Sequence, residues 1–129
     1  MTALNFKREI DAALDQAVER ATRALAAEGF GVLTRIDMHS KIKDKTGKDI
    51  VPTVILGACN PMLAYEAYTA NSDVASLLPC NAVVREISPG RISVEFVKPT
   101  AMMNILGDAR LADLAREADA KIGRALENV

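Results

Sequence analysis

Tryptophan is absent, and the 129 residues hold only three Phe, two Tyr, one His and two Cys. So few aromatics argue against a surface that stacks single-stranded bases, which needs exposed rings. The net charge is −1, and no overall basic field draws in a phosphate backbone or an anionic lipid surface. No apolar run approaches the roughly 20 residues of a membrane-spanning helix. The start, Met1-Thr2-Ala3-Leu4-Asn5-Phe6-Lys7, lacks the apolar centre of a signal peptide. These absences predict a cytoplasmic protein with no nucleic-acid and no membrane partner. In that compartment two cysteines are expected as reduced thiols rather than as a structural disulfide.

Familiar catalytic patterns are missing too. The chain has no CxxC, no GxSxG and no Ser-His-Asp order. Gly29-Phe30-Gly31 lacks the downstream glycine of a phosphate loop and leads into a strand. His39 alone cannot build a zinc site, although with both cysteines it would supply three ligands of suitable type. A solvated loop histidine is the simpler expectation. Any cofactor is left unknown by these residues, and so is any enzymatic activity.

What is present reads as one domain over 1–129. Half the residues are hydrophobic and 26% are charged, a globular composition at a length that supports its own core. Leu4, Phe6, Arg8 and Ile10 alternate with polar residues, predicting a first strand. Asp11 is expected to cap a helix running to Glu28, with Leu14, Ala17, Val18, Ala21, Ala24 and Leu25 at helical spacing and Gly29 as its stop. A strand follows over Phe30 to Met38, with Phe30, Val32, Thr34, Ile36 and Met38 on one face. Lys41, Lys43, Lys45 and Lys48, with Asp44 and Asp49 interleaved, fall in a short helical segment closed by Gly47. That segment is either a solvated face or an anion site. Val54 to Ala58 is short and continuously apolar, as in a buried strand.

Asn60-Pro61 starts the next helix, an Asn cap followed by Pro at the first helical position. It spans Met62 to Ala70 and is broken by Asn71-Ser72-Asp73. Asn81 to Ile87 and Arg91 to Lys98 are strands joined across Ser88-Pro89-Gly90. Pro99 opens a short helix to Leu106, and Asp108 caps a last helix that buries Leu111, Leu114, Ala115, Ala118, Ile122, Ala125 and Leu126. The predicted fold class is α+β: a mostly antiparallel sheet of about five strands, the two long helices on one face, and the order β-α-β-β-β-β-α plus short helices. A mixed sheet is the alternative, with the Met62 to Ala70 helix as a parallel crossover.

From Ile50 to Val84 there is no Lys or Arg, and the only acids are Glu66 and Asp73. Such a stretch is either core or contact surface, and its Tyr65, Tyr68, Met62 and Leu63 suggest cover by a second copy. Both cysteines lie within it, each followed by Asn: Cys59-Asn60 and Cys80-Asn81, with the cysteines 21 positions apart. Cys59 precedes a helix start, where the helix dipole favours a thiolate. If the Val54 and Asn81 strands are antiparallel neighbours, the two thiols share one edge of the sheet. Cys59, Asn60, Cys80 and Asn81 are therefore the candidate ligand-binding residues. The plain alternative is two small apolar core residues, an ordinary use of free Cys, with Asn60 serving as a cap.

Three runs, Glu28-Gly29-Phe30-Gly31-Val32-Leu33-Thr34, Ile55-Leu56-Gly57-Ala58-Cys59-Asn60-Pro61 and Leu77-Leu78-Pro79-Cys80-Asn81-Ala82-Val83-Val84, resemble the bacterial and archaeal family called domain of unknown function 302. The resemblance covers nearly the whole chain. It implies a compact α+β domain, commonly homodimeric, and carries over no activity. Three functional readings follow. The first is a homodimeric small-ligand-binding module with its site near Cys59, Asn60 and Cys80. The second is a thiol-based redox, sulfur-carrier or soft-metal protein. The third is an interaction or scaffold protein with no small-molecule site.

Overall fold

The structure, a computed structural model, describes residues 3–129. Its single sheet holds β1 (Asn5–Asp11), β2 (Gly31–Asp37), β3 (Thr53–Cys59), β4 (Cys80–Ser88) and β5 (Arg91–Val97) in the order β1-β5-β4-β3-β2. All four pairings are antiparallel, so the α+β fold holds as expected and the mixed-sheet alternative does not occur. Five helices complete it: α1 (Leu14–Ala27), α2 (Met38–Thr46), α3 (Pro61–Ala70), α4 (Pro99–Met103) and α5 (Ala112–Glu127), with 3-10 turns at Ser72–Leu77, Asn104–Leu106 and Ala109–Leu111. No helix among the described residues is long and apolar enough to cross a membrane.

The apolar alternation of the strands decides where the core lies. Ile10, Val54, Leu56, Ala82, Val84, Ile92, Val94 and Phe96 point from the sheet onto one layer formed by Val18, Ala21 and Leu25 of α1 and Ala118, Ile122 and Leu126 of α5. Each large side chain fully withdrawn from water here contributes about 1.5–3 kcal/mol. A smaller cluster of Ala67, Val74, Met103, Leu111 and Ala115 ties α3 and α4 to the start of α5. The opposite face of the sheet is polar at its centre. Glu95 is buried there, accepting from Ser93 Oγ at 3.0 Å, with Arg85 Nε 3.2 Å and Lys7 Nζ 3.9 Å from its carboxylate. Arg8, on the helix side of β1, donates to the carbonyls of Leu126 at 3.1 Å and Glu127 at 2.8 Å. It thereby satisfies acceptors that the last turn of α5 leaves open.

Local expectations are corrected in three places. Asp11 does not cap α1: it ends β1 and its carboxylate accepts from Arg91 at 3.0 Å. The cap residue is Ala13, whose N–H donates to Gln16 Oε1 at 3.3 Å. The single apolar face predicted from Phe30 to Met38 is split by a bulge between Val32 and Thr34. One extra residue reverses the alternation. Phe30 and Val32 join the core, whereas Thr34 stands over Gly57 on the other face and Met38 opens α2. Finally, Asp108 caps not α5 but the 3-10 turn Ala109–Leu111 before it, its Oδ1 accepting from Arg110 N–H at 3.0 Å.

Candidate functional site

The β3–β4 ladder brings the two cysteines to one end of the sheet. Ala58 stands opposite Cys80 and Gly57 opposite Asn81, so Cys59 is one step from the position facing Cys80. Neither cysteine is in a disulfide, and each is a half-buried residue. β3 stops at Cys59 because the next residue starts a helix. Asn60 Oδ1 accepts from Leu63 N–H at 3.2 Å, and Pro61 takes the first helical position. Gly29 lies against this cap with φ +85°, and a Cβ there would approach Asn60 Nδ2 to 3.0 Å. Only glycine adopts that conformation without strain and leaves room for the cap.

Cys59, Asn60 and Cys80 line one apolar cavity of about 50 Å³. Leu63, Ala64 and Ala67 of α3 form one wall, Met103 of α4 another, and Ala115 and Ala118 of α5 the floor. Alanines at these points leave space that larger side chains would fill. Among the lining residues only Cys59, Asn60 and Cys80 carry polar or sulfur groups, and the Asn60 amide oxygen is already engaged by the helix start. Met103 is held in place by a contact between α4 and α5. Thr100 N–H donates to Asp119 Oδ1 at 3.0 Å and Thr100 Oγ to Oδ2 at 2.6 Å. Asp119 thus caps α4 from a neighbouring helix.

Burial pushes the Cys80 thiol up to about 11, with Cys59 and Asp119 adding smaller repulsion of its thiolate. A buried thiol without a cationic neighbour keeps its proton. The cavity therefore presents Cys80 as a neutral, polarizable sulfur near pH 7.

Asn81, the fourth candidate, is exposed and follows Cys80 onto the opposite face of the strand. Three of the four candidates therefore share the cavity. His39 is not in a loop but in the first turn of α2, where its Nδ1 accepts from Thr53 N–H at 3.0 Å. Thr53 and Cys59 are the two ends of β3, about 20 Å apart at strand rise. His39 therefore cannot join the cysteines around one ion. The lysines of α2 lie at that same far end, with Lys43 paired to Asp49 at 3.2 Å, so they do not combine with the α3 N-terminus. Met103 was not among the expected site residues. Its approach depends on α4 packing against α5 through Thr100 and Asp119, and no local spacing announces that.

Residues 6–129 match the family described as domain of unknown function DUF302. Among solved structures the chain is similar to one titled as the crystal structure of an uncharacterized conserved protein DUF302 from Bacillus stearothermophilus. The two share 28% identity, 98% of each chain is covered, and the TM-score is 0.90. No curated protein matches the chain.

Proposed function

Starting from the premise that this chain belongs to the DUF302 family of unknown function, we propose that it is a homodimeric small-ligand-binding module of the cytoplasm whose site is the cavity beside Cys59, Asn60 and Cys80. One observation carries this reading: an apolar cavity with a few polar groups at its rim, at the end of two central strands. At about 50 Å³ it takes a very small ligand or the tip of a larger one. An engineered apolar cavity that binds benzene is about three times that size. Xenon tests the space directly. Crystals under xenon pressure are expected to show one site between Cys59, Leu63 and Met103, and Ala64→Leu is expected to empty it. A cavity that stays dark in the wild-type protein ends this reading.

The dimer is motivated by α3. Met62, Tyr65 and Tyr68 are 72%, 68% and 56% exposed, at helical spacing and within a stretch of sequence, Ile50 to Val84, that holds no lysine or arginine. Tyr and Met are enriched where protein surfaces meet, and a net charge of −1 puts little repulsion between copies. Sedimentation equilibrium is expected to give a dimer for the wild-type chain and a monomer for Tyr65→Lys/Tyr68→Lys. A wild-type monomer at high micromolar concentration removes the dimer from the proposal.

A further inference from the structure

The apolar cavity shares a wall with a larger groove. Met103, Leu111 and Ala115 line both. On one side is the cavity of about 50 Å³. On the other is a groove of about 440 Å³ that also takes in Thr100, Asn104, Asp108 and Arg116. Ala115 has no side chain to swing, and Leu111 is fully buried in the 3-10 turn before α5. Met103 differs from both. It ends the five-residue helix α4, and its unbranched side chain turns about three bonds. We infer that Met103 is the door of the cavity and that the ligand is an unbranched alkyl chain with an uncharged polar head, its tail in the cavity and its head in the groove. This rests on the cavity reading above and names the ligand class and its route in.

The lining selects the tail. Leu63, Ala64, Ala67 and Ala118 present carbon to the space, and Cys80, which keeps its proton, adds a sulfur that behaves as apolar surface. The Asn60 amide oxygen already accepts from Leu63 N–H. A hydrocarbon therefore loses no hydrogen bond there and leaves water. The volume admits only the end of a chain. A ring needs more, since an apolar cavity that binds benzene is about three times the size. On its other side the cavity shares Asn60 and Leu63 with a groove at Gly29 and Pro61. That wall is the pinned first turn of α3, with Asn60 as its cap and Pro61 at its first position. The mouth is thus on the Met103 side.

The groove selects the head. Both of its charged residues are already paired. Asp108 accepts from Arg110 Nε at 3.0 Å and from Asn71 Nδ2 at 3.1 Å, and Arg116 donates to Asp113. A carboxylate or ammonium head would leave water without meeting a free counter-charge, which is costly. A hydroxyl meets neutral polar groups in Thr100 and Asn104. The same contacts limit how far the door swings. Asp119 fastens α4 at Thr100, and Asn71 fastens the chain again at Asp108. Met103 lies between the two fastenings, so its side chain can turn while the backbone on either side stays held.

The test is titration of the full chain, labelled with methyl-¹³C methionine, with 1-hexanol. The Met103 methyl signal is expected to shift saturably, while that of Met62, 72% exposed on α3, stays in place. From 1-butanol to 1-hexanol the affinity should rise roughly three- to fourfold per added methylene. Hexanoate, hexylammonium and cyclohexanol should each bind at least tenfold more weakly than 1-hexanol. Met103→Ala should speed 1-hexanol exchange at least tenfold, read from the ligand line shape. A Met103 signal unmoved by 1-hexanol overturns the inference. So does equal binding of hexanoate, or unchanged exchange in folded Met103→Ala. The wild-type titration decides even where that variant does not fold. Xenon in the same preparation separates the two claims: xenon without 1-hexanol removes the alkyl ligand alone, and binding of neither removes both.

Discussion

Iodoacetamide is expected to modify Cys80 at pH 8 between about 10- and 100-fold more slowly than an unperturbed cysteine. Only the thiolate attacks, and burial moves Cys80 from 9.0 to about 11, so its thiolate fraction at pH 8 falls about 100-fold. A more basic thiolate is a better nucleophile, and a Brønsted slope near 0.45 returns up to about tenfold of that loss. Peptide mass spectrometry over time reads the rate at Cys80 in the intact chain. Burial is the larger cause of the shift and Cys59 the next. Cys59→Ala should therefore accelerate Cys80 only modestly, while unfolding in urea should restore the ordinary rate. A fast-reacting Cys80 at pH 8 contradicts the geometry described for the cavity.

The same shift fixes a sign for stability. The folded chain holds the Cys80 proton more tightly than the unfolded chain does. Below about pH 9 both states are protonated and Cys80 contributes no pH dependence. Between about pH 9 and 11 the unfolded state ionises first, and stability is lost as pH rises, by at most about 2–3 kcal/mol. Urea unfolding at pH 8 and 10.5 should show this loss in the wild-type chain and not in Cys80→Ala. The result bears on function. A thiol kept neutral is poorly suited to be a resting nucleophile, so Cys80 serves an apolar cavity better than it serves thiol exchange.

The elements that the sequence announced are those whose determinants are local. Asn60-Pro61 specifies a cap and a first helical turn within two residues, and both are present. Gly47 closes α2 with φ +71°, as a helix stop should. Ser88-Pro89-Gly90 returns β4 to β5 in antiparallel register. The bulge at Leu33 was hidden because alternation looks the same on either side of one inserted residue. Asp11 resembled a cap because Asp commonly is one. Its partner, Arg91, is 80 positions away and invisible to a local pattern. The site was legible in the same proportion. Antiparallel pairing of β3 with β4 brings Cys59, Asn60 and Cys80 to one end of the sheet. Asn81 was carried along by adjacency, although strand alternation turns it the other way. Met103 depends on the capping of α4 by Asp119, a contact spanning 19 positions.

Gly57→Ala is expected to destabilise the fold by about 1–3 kcal/mol, the usual cost of inserting a methyl group into filled space. At roughly 4 °C per kcal/mol for a domain of this size, the melting temperature should fall by about 4–12 °C. Gly57 is in the middle of β3, where glycine is otherwise unfavourable, and such a glycine marks a close approach. A Cβ built there collides with Thr34 Oγ and comes within 2.7 Å of Pro79 Cγ. Thr34 is exposed on edge strand β2 and can rotate away. Pro79 is a rigid ring between Leu78 and Cys80, which both line the cavity. The added methyl group therefore has to push back the segment that brings Cys80 to its position. Two measurements separate this from a general loss of packing. Thr34→Ala in the Gly57→Ala background should recover little stability, because the Pro79 contact persists, while Pro79→Ala should recover more. Xenon occupancy should fall in Gly57→Ala even well below its melting temperature, because the site is displaced before the core is lost. Equal rescue by Thr34→Ala and Pro79→Ala, with full xenon occupancy, would place the strain in β2 and detach Gly57 from the cavity.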